Sequence, residues 1–222
     1  MKLINLNLLL LLALLVSCGE SSVSSGKWTV SYDQVQKGHR IEKENQLLSD
    51  GVYASYKLGN KLVTTRDYKK SSSKVTAISD AFGQGSLLQV TYTDSNLPTL
   101  VQSFYIYPEK DYLLTEFTLQ GGTADVESNY MAPVTIDRMP AVLAEGDNQP
   151  FDNDCWIRYQ SHPLTFDQLR SYEVATVFNN DDRKGFVIGS VEHSDWKTGI
   201  DMGKGDRNNI GSLVCFGGVA DS

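Results

Sequence analysis

The sequence is poor in the residues that several kinds of functional site require. There are three cysteines in 222 residues, and none stands in a CxxC pair or at zinc-ligand spacing from a histidine. Gly203-Lys204-Gly205-Asp206 matches neither GxxxxGK nor GxGxxG, so a nucleotide-binding loop is not indicated. No metal and no cofactor is therefore predicted.

Basic residues are also scarce, and they are not clustered. Lys and Arg number 20 against 27 Asp and Glu, which gives a formal net charge of −7. Binding to nucleic acid phosphates needs clustered Lys and Arg. The charge pattern therefore argues against nucleic acid as a partner.

Helical periodicity is missing after the N-terminal region, and short alternating segments take its place. Trp28, Val30 and Tyr32 alternate with polar residues, as expected of a strand. Two segment pairs predict hairpins: Thr99–Tyr107 with Tyr112–Leu119, and 172–178 with 185–191. Many such segments at short spacing predict an all-β fold, an antiparallel β-sandwich.

Three local predictions are less regular. Pro133 favours an edge position for the strand at 130–136, because proline cannot donate to a neighbouring strand. Tyr68–Ser73 is polar and predicts a loop. Ala141–Leu143 predicts a short strand.

The N-terminus resembles a bacterial lipoprotein signal. Lys2 is followed by the apolar run Leu3–Val16, which is short for a transmembrane helix, and then by Ser17-Cys18-Gly19. The resemblance implies a signal peptide at 1–17, lipidation at Cys18, a flexible tether at 18–26 and a β-sandwich domain at 27–222. It further implies a lipid anchor in the bacterial cell envelope, with the outer membrane as the expected site. A secretory peptide that happens to contain cysteine is the alternative.

Cys155 and Cys215 allow two interpretations. They could pair in an oxidising compartment, or both could be small buried apolar residues. A single cysteine pair does not make a disulfide framework, which favours the second interpretation.

The candidate site is Phe151–Tyr159. It concentrates carboxylates (Asp152, Asp154), the indole of Trp156 and the guanidinium of Arg158 in a few residues. An aromatic ring beside hydrogen-bonding groups suits a sugar, whose C–H face stacks on the ring while its hydroxyls bind the polar groups. The sugar-binding candidates are therefore Asp152, Asp154, Trp156 and Arg158.

Other interpretations of this segment stay open. A turn rich in Asp and Asn, leading into a strand with a core Trp, would look the same. Asp152 and Asp154 could form an acid/base pair, but so could any Asp pair in a turn. A calcium site lacks the spacing of an EF-hand. No catalytic residue is assigned.

Together with the segments Ser171–Val174, Gly185–His193 and Trp196–Ile200, Phe151–Tyr159 resembles the N-terminal β-supersandwich domain of α-galactosidase-like glycoside hydrolases (family 36 and relatives), known as lipoproteins of gut Bacteroidetes. The resemblance implies a galactose mutarotase-like supersandwich. In that family the domain precedes a catalytic (β/α)₈ barrel, for which this sequence has no room.

Three hypotheses follow. The chain is a carbohydrate-related domain or fragment of such a hydrolase, inactive alone, that binds a galactoside or other glycan and packs on a catalytic barrel. Alternatively, it is a free-standing glycan-binding surface lipoprotein, or a structural module without a ligand.

Overall fold

A computed structural model describes residues 20–121, 126–153, 159–165, 167–192 and 196–218. Its regular structure is β-strand, apart from a 3-10 turn at Thr65–Asp67. No helix in these ranges is long and apolar enough to cross a bilayer. The strands are β1 (Glu20–Ser25), β2 (Trp28–Asp33), β3 (Gly38–Lys43), β4 (Gln46–Leu58), β5 (Lys61–Thr64), β6 (Lys70–Asp80), β7 (Gly83–Asp94), β8 (Leu97–Ile106), β9 (Leu113–Gln120), β10 (Tyr130–Ile136), β11 (Asn148–Asn153), β12 (Tyr159–Ser161), β13 (Gln168–Tyr172), β14 (Val174–Asn179), β15 (Gly185–Gly189), β16 (Lys197–Lys204) and β17 (Ile210–Gly218).

The strands form one large sheet and two small ones. The large sheet has nine strands in the order β1-β2-β3-β4-β10-β17-β16-β13, with β5 paired to β4. The small sheets have the orders β6-β7-β8-β9 and β12-β11-β14-β15. Paired strands are antiparallel, which confirms the predicted all-β antiparallel sandwich.

Both small sheets pack on the same face of the large sheet, and each covers its own core. Val52 of β4 belongs to the core under β14, and Ala54 and Tyr56 belong to the core under β7 and β8. Residues two apart on a strand point to the same side. A single face of β4 therefore serves both cores.

Tyrosines fill much of the core under β7 and β8. Tyr56 and Tyr68 are fully buried, and their hydroxyl oxygens lie 2.9 Å apart. The Tyr68 hydroxyl donates to the Pro98 carbonyl at 2.7 Å. Tyr56 must therefore donate to Tyr68, so the hydroxyls form a directed chain that meets the hydrogen-bonding need of buried phenols.

The predicted tether is wrong for Glu20–Ser25, which form β1. The strand pairs with β2 from Glu20↔Asp33 to Ser25↔Trp28. Val23 is buried in the core, and the Ser21 hydroxyl lies 2.6 Å from that of Ser73 on β6. Serine-rich composition indicates a linker only where no strand edge is available to pair with it, and here β2 provides one.

The predicted edge position for Pro133 is also wrong. Its strand, β10, lies inside the large sheet between β4 and β17. The register shifts around Pro133 against both neighbours, between Met131 and Val134 and between Ala132 and Thr135. A β-bulge thus accommodates the missing N–H, and the Pro133 carbonyl accepts from Gln102 Nε2 at 3.0 Å.

Two further predictions fail for identifiable reasons. The loop predicted at Tyr68–Ser73 becomes β6 from Lys70 onward, a polar strand whose residues are largely exposed. The strand predicted at Ala141–Leu143 does not form. Instead, Leu143 donates to Asn209 Oδ1 at 3.1 Å and its carbonyl accepts from Asn209 Nδ2 at 3.2 Å, so a side-chain amide replaces a strand partner.

Cys215 is a free, buried thiol whose side chain is among the apolar residues of the core under β14. Burial raises the pKa of Cys215 to about 12. This agrees with its interpretation as a small apolar residue. Cys155 lies outside the described residues.

His39 is fully buried between two aromatic rings. Its ring centroid lies 5.0 Å from that of Tyr32 and 4.4 Å from that of Phe104. Nδ1 contacts the Val52 carbonyl at 3.3 Å, whereas Nε2 is buried with no hydrogen-bond partner in the described part of the chain. Burial lowers the pKa of His39 to about 3, so the ring is neutral in the folded protein.

We expect Gly26→Ala to destabilise the fold more than Gly59→Ala. Both glycines have φ of +58°, which costs an alanine about 1 kcal/mol. A Cβ at Gly26 would lie 2.4 Å from the Pro108 carbonyl oxygen, while a Cβ at Gly59 meets no atom within 4 Å. In denaturant unfolding, the free energy of unfolding of Gly26→Ala should therefore be about 1–3 kcal/mol lower than that of Gly59→Ala. Equal losses would contradict the contact between the β1–β2 turn and Pro108.

We expect the chain to lose about 2 kcal/mol of stability between pH 7 and pH 5 because of His39. The folded-state pKa is depressed to about 3, so the unfolded state binds the proton first as pH falls below about 6.5. The stabilisation from neutral His39 is therefore complete above about pH 6.5 and is lost as pH falls towards the folded-state pKa of about 3. Urea unfolding of His39→Phe should lack the loss, and His162→Gln should keep it. A pH-independent midpoint in the unsubstituted chain would contradict it.

Candidate functional site

A groove of about 290 Å³ lies on the large sheet, on the side opposite the two cores. Strand alternation builds it. On β13, Leu169 packs on the core under β14 and Arg170 faces the groove; on β16, Ile200 is in that core and Asp201 faces the groove. The lining residues are Lys57, Asn129, Tyr130, Arg170, Tyr172, Lys197, Gly199, Asp201, Phe216 and Gly218.

Tyr130 and Phe216 form an aromatic platform in this groove. Their rings are stacked, with centroids 5.1 Å apart and planes at 27°. Phe216 lies directly over Gly199, where a Cβ would come within 2.4 Å of the ring carbon Cζ. Glycine at this position lets the ring lie against the backbone of β16. Both rings are partly exposed, so their surfaces remain available for a ligand.

Arg170 and Asp201 form a two-pronged ion pair beside the platform. They are direct cross-strand partners on β13 and β16. Nε donates to Oδ1 at 2.6 Å and Nη2 to Oδ2 at 2.8 Å. The guanidinium carbon also lies 5.2 Å from the centroid of Phe216. Bidentate pairing fixes the guanidinium plane and raises the pKa of Arg170, while its remaining N–H groups are not used by Asp201.

Two lysines complete the groove wall. Lys197 Nζ lies 4.1 Å from the ring centroid of Tyr172, and Lys57 Nζ lies 5.7 Å from that of Tyr130. Among the described residues, neither ammonium has a carboxylate within 4 Å. The lining therefore holds more cations than carboxylates, although the chain as a whole is acidic.

The groove continues into a second depression of about 300 Å³. Asp201 lies in the wall of both. The remaining lining residues of the second depression are Asp167, Gln168, Gly203, Ser212 and Val214. Its polar groups are therefore hydroxyl, amide and carboxylate, without a cation.

Asp152, the one sequence-predicted sugar-binding residue within the described ranges, lies on β11 in a small sheet. Its Oδ1 is 2.6 Å from His162 Nε2, and 13% of its side chain is exposed. The neighbouring Asn153 donates through its backbone to the Ser171 hydroxyl at 2.8 Å and through Nδ2 to the Tyr172 carbonyl at 3.1 Å. This end of β11 thus ties the small sheet to β13, the strand that carries Arg170 and Tyr172.

The other predicted site residues, Asp154, Trp156 and Arg158, lie outside the described residues, as does Cys18. Their roles remain predictions. No group of three or more His, Cys, Asp or Glu side chains placed to hold a metal occurs within the described ranges.

Sequence reasoning missed the groove. The signal was the alternation along 168–172 and 197–201, in which Arg170, Lys197 and Asp201 stand at every-second positions that alternate with core residues. That pattern indicates a strand with a polar outer face but does not indicate which strands adjoin. Arg170 and Asp201 are far apart in sequence, and only the β13–β16 register brings them together.

Comparison with known proteins finds a structural likeness without sequence similarity. No protein-family model and no curated protein matches the sequence. The α-N-acetylgalactosaminidase NagBb from Bifidobacterium bifidum matches in its complex with Gal-NHAc-DNJ (TM-score 0.64), its complex with GalNAc (0.61) and its ligand-free form (0.61), each at 8% identity. Each match covers 89% of this chain and 33% of that chain. The chain therefore shares its fold with about a third of a glycoside hydrolase.

Proposed function

We propose that the chain is a carbohydrate-related domain of an α-galactosidase-like glycoside hydrolase, inactive by itself. In this proposal it contributes to binding a galactoside or N-acetylgalactosaminide and packs on a catalytic barrel that this sequence does not contain. The observation that carries the proposal is the recurrence of nearly its whole fold as one third of a glycosidase.

The sugar class comes from the structural neighbour and the chemistry of the surface. NagBb is named for N-acetylgalactosaminide hydrolysis and is complexed with GalNAc. In this chain, the stacked Tyr130 and Phe216 beside the Arg170–Asp201 pair offer a ring surface and hydrogen-bonding groups together. A pyranose requires that combination. The predicted site around Trp156 offers the same combination.

The engagement of two carboxylates supports the proposal that the chain is inactive by itself. Glycoside hydrolysis needs one carboxyl group as proton donor and a second as nucleophile or base. In the groove, both oxygens of Asp201 are bound by Arg170. On β11, Asp152 is bound by His162. These carboxylates are held in structural pairs, which suits a binding role.

We further propose that Cys18 carries a lipid and anchors the chain in the cell envelope, with the outer membrane as the proposed location. Glu20, two residues later, already pairs with Asp33 in the large sheet. A lipid on Cys18 would therefore hold the sandwich close to the bilayer surface, because almost no chain lies between the anchor and the first strand.

We expect the detergent-purified chain to bind GalNAc or a galactoside in calorimetry and to leave an aryl α-galactoside intact. Trp156→Ala should weaken binding about tenfold by removing a stacking surface. Phe82→Ala, at an exposed aromatic of the β6–β7 turn, should not. Absence of heat with every sugar tested would contradict the proposal. Hydrolysis that disappears in Asp152→Asn or Asp154→Asn would contradict the inactive role.

We expect a Gram-negative host grown with an alkyne fatty acid to label the chain at Cys18. Cys18→Ser should abolish the label, because the thiol is the proposed attachment point. Cys215→Ser, which alters only a buried thiol, should retain it. An unlabelled chain, or a label that survives Cys18→Ser, would rule out lipidation at this residue.

A further inference from the structure

We propose that the groove on the outer face of the large sheet binds an acidic glycan, one whose sugar carries a carboxylate or sulfate. The inference rests on the proposed carbohydrate role and specifies the ligand class. The groove combines an aromatic platform with a local excess of positive charge, and the two features suit different parts of the same ligand.

The groove has a local excess of positive charge. Lys57, Arg170 and Lys197 face a single carboxylate, Asp201, in its main part. The chain carries a net charge of −7, so the groove is a positive site on an acidic protein. Such a site attracts anions. It prefers an anionic ligand over a neutral one only if some of its cations have no carboxylate partner.

Two of the three groove cations are available to bind an anion. Asp201 neutralises Arg170, since both carboxylate oxygens are bound by the guanidinium. Lys57 and Lys197 contact aromatic faces, and no carboxylate in the described ranges lies within ion-pair distance of either. An ammonium over a ring can turn to an incoming anion, because its donors rotate freely on a flexible stem.

The aromatic platform limits the ligand to one with a flat apolar face. Tyr130 and Phe216 are stacked with centroids 5.1 Å apart. A bare phosphate or an acidic peptide would use the lysines but not this surface. A pyranose ring places C–H groups on one face and hydroxyls around its rim, so it can pack against the exposed surface of the Tyr130–Phe216 pair while its acidic substituent reaches Lys57 or Lys197.

The second depression extends the ligand beyond one sugar. It adjoins the first through Asp201 and offers the Gln168 amide, the Ser212 hydroxyl and the Asp167 carboxylate. These groups suit the hydroxyls of a neighbouring sugar unit. The ligand is therefore an oligosaccharide whose charged unit lies over the aromatic platform.

A protein interface is the competing occupant of this face. The cores of protein interfaces are depleted in lysine and rich in fully buried apolar contacts. The groove instead places two lysines, Lys57 and Lys197, beside its aromatic rings. This composition favours a charged glycan over a packed protein partner.

The test compares two α-1,4-linked trisaccharides that differ only at C6 of one terminal unit, which is galacturonate in the acidic trisaccharide and galactose in the neutral one. Calorimetry of the detergent-purified chain should give at least about tenfold tighter binding of the acidic trisaccharide. That advantage should shrink as ionic strength rises, because exposed charges are screened.

Matched variants assign the effect to the groove. Lys57→Gln combined with Lys197→Gln should remove the preference for the acidic trisaccharide, whereas Lys61→Gln with Lys74→Gln, at exposed positions on β5 and β6, should keep it. Phe216→Ala should weaken binding of the acidic trisaccharide about tenfold. Phe82→Ala should leave it unchanged.

Each remaining outcome overturns the inference in a recognisable way. Equal affinity for the two trisaccharides removes the acidic specificity and leaves the carbohydrate role intact. Equal affinity for the acidic trisaccharide and for a peptide of the same net charge would show that the groove recognises charge alone. If neither Phe216→Ala nor the Lys57→Gln, Lys197→Gln double variant weakens binding of the acidic trisaccharide, its binding site lies outside the groove. Failure of every glycan, including GalNAc, removes the proposed function as well.

Discussion

The architecture depends on one long strand, β4, which must cover two hydrophobic cores with a single face. Val52 packs in the core under β14, and Ala54 and Tyr56 pack in the core under β7 and β8. These three residues take alternate positions on the strand after Gly51, where φ is +75° and the register against β3 shifts, and so share one face. Burial of large side chains at about 25 cal/mol per Å² is the main stabilising contribution. If β4 lost its register, both cores would lose the side chains that β4 contributes to them.

Because both small sheets cover the same face of the large sheet, the opposite face is open and holds the groove. On β13, β16 and β17, residues that alternate with core residues point into it, as Arg170, Asp201 and Phe216 do. Core packing therefore also positions the groove residues. Gly199 adds a local requirement, since only the absence of a Cβ lets the Phe216 ring lie so close to β16. Most groove residues stand on paired strands, which hold side chains more precisely than loops do.

Local sequence signals predicted the features that neighbouring residues decide. The hairpin at 99–119 formed as β8 and β9 because its two alternating arms flank a turn containing Pro108 and Asp111. The predictions that failed depended on distant partners. Ser21–Ser25 has linker composition, yet β2 pairs with it. Pro133 lacks an N–H, yet a bulge admits it between two strands. Of the candidate site, sequence predicted Asp152, and the structure pairs it with His162 rather than placing it in the groove.

The sequence by itself determined the all-β class, the antiparallel hairpins and the acidic balance, because alternation, turn residues and charge are local or additive properties. Tertiary structure alone decided which strands adjoin. Strand pairing forms between backbones, so side-chain patterns constrain it weakly. That pairing set Arg170 opposite Asp201 and Tyr130 against Phe216. The groove and its excess of positive charge are consequences of that arrangement.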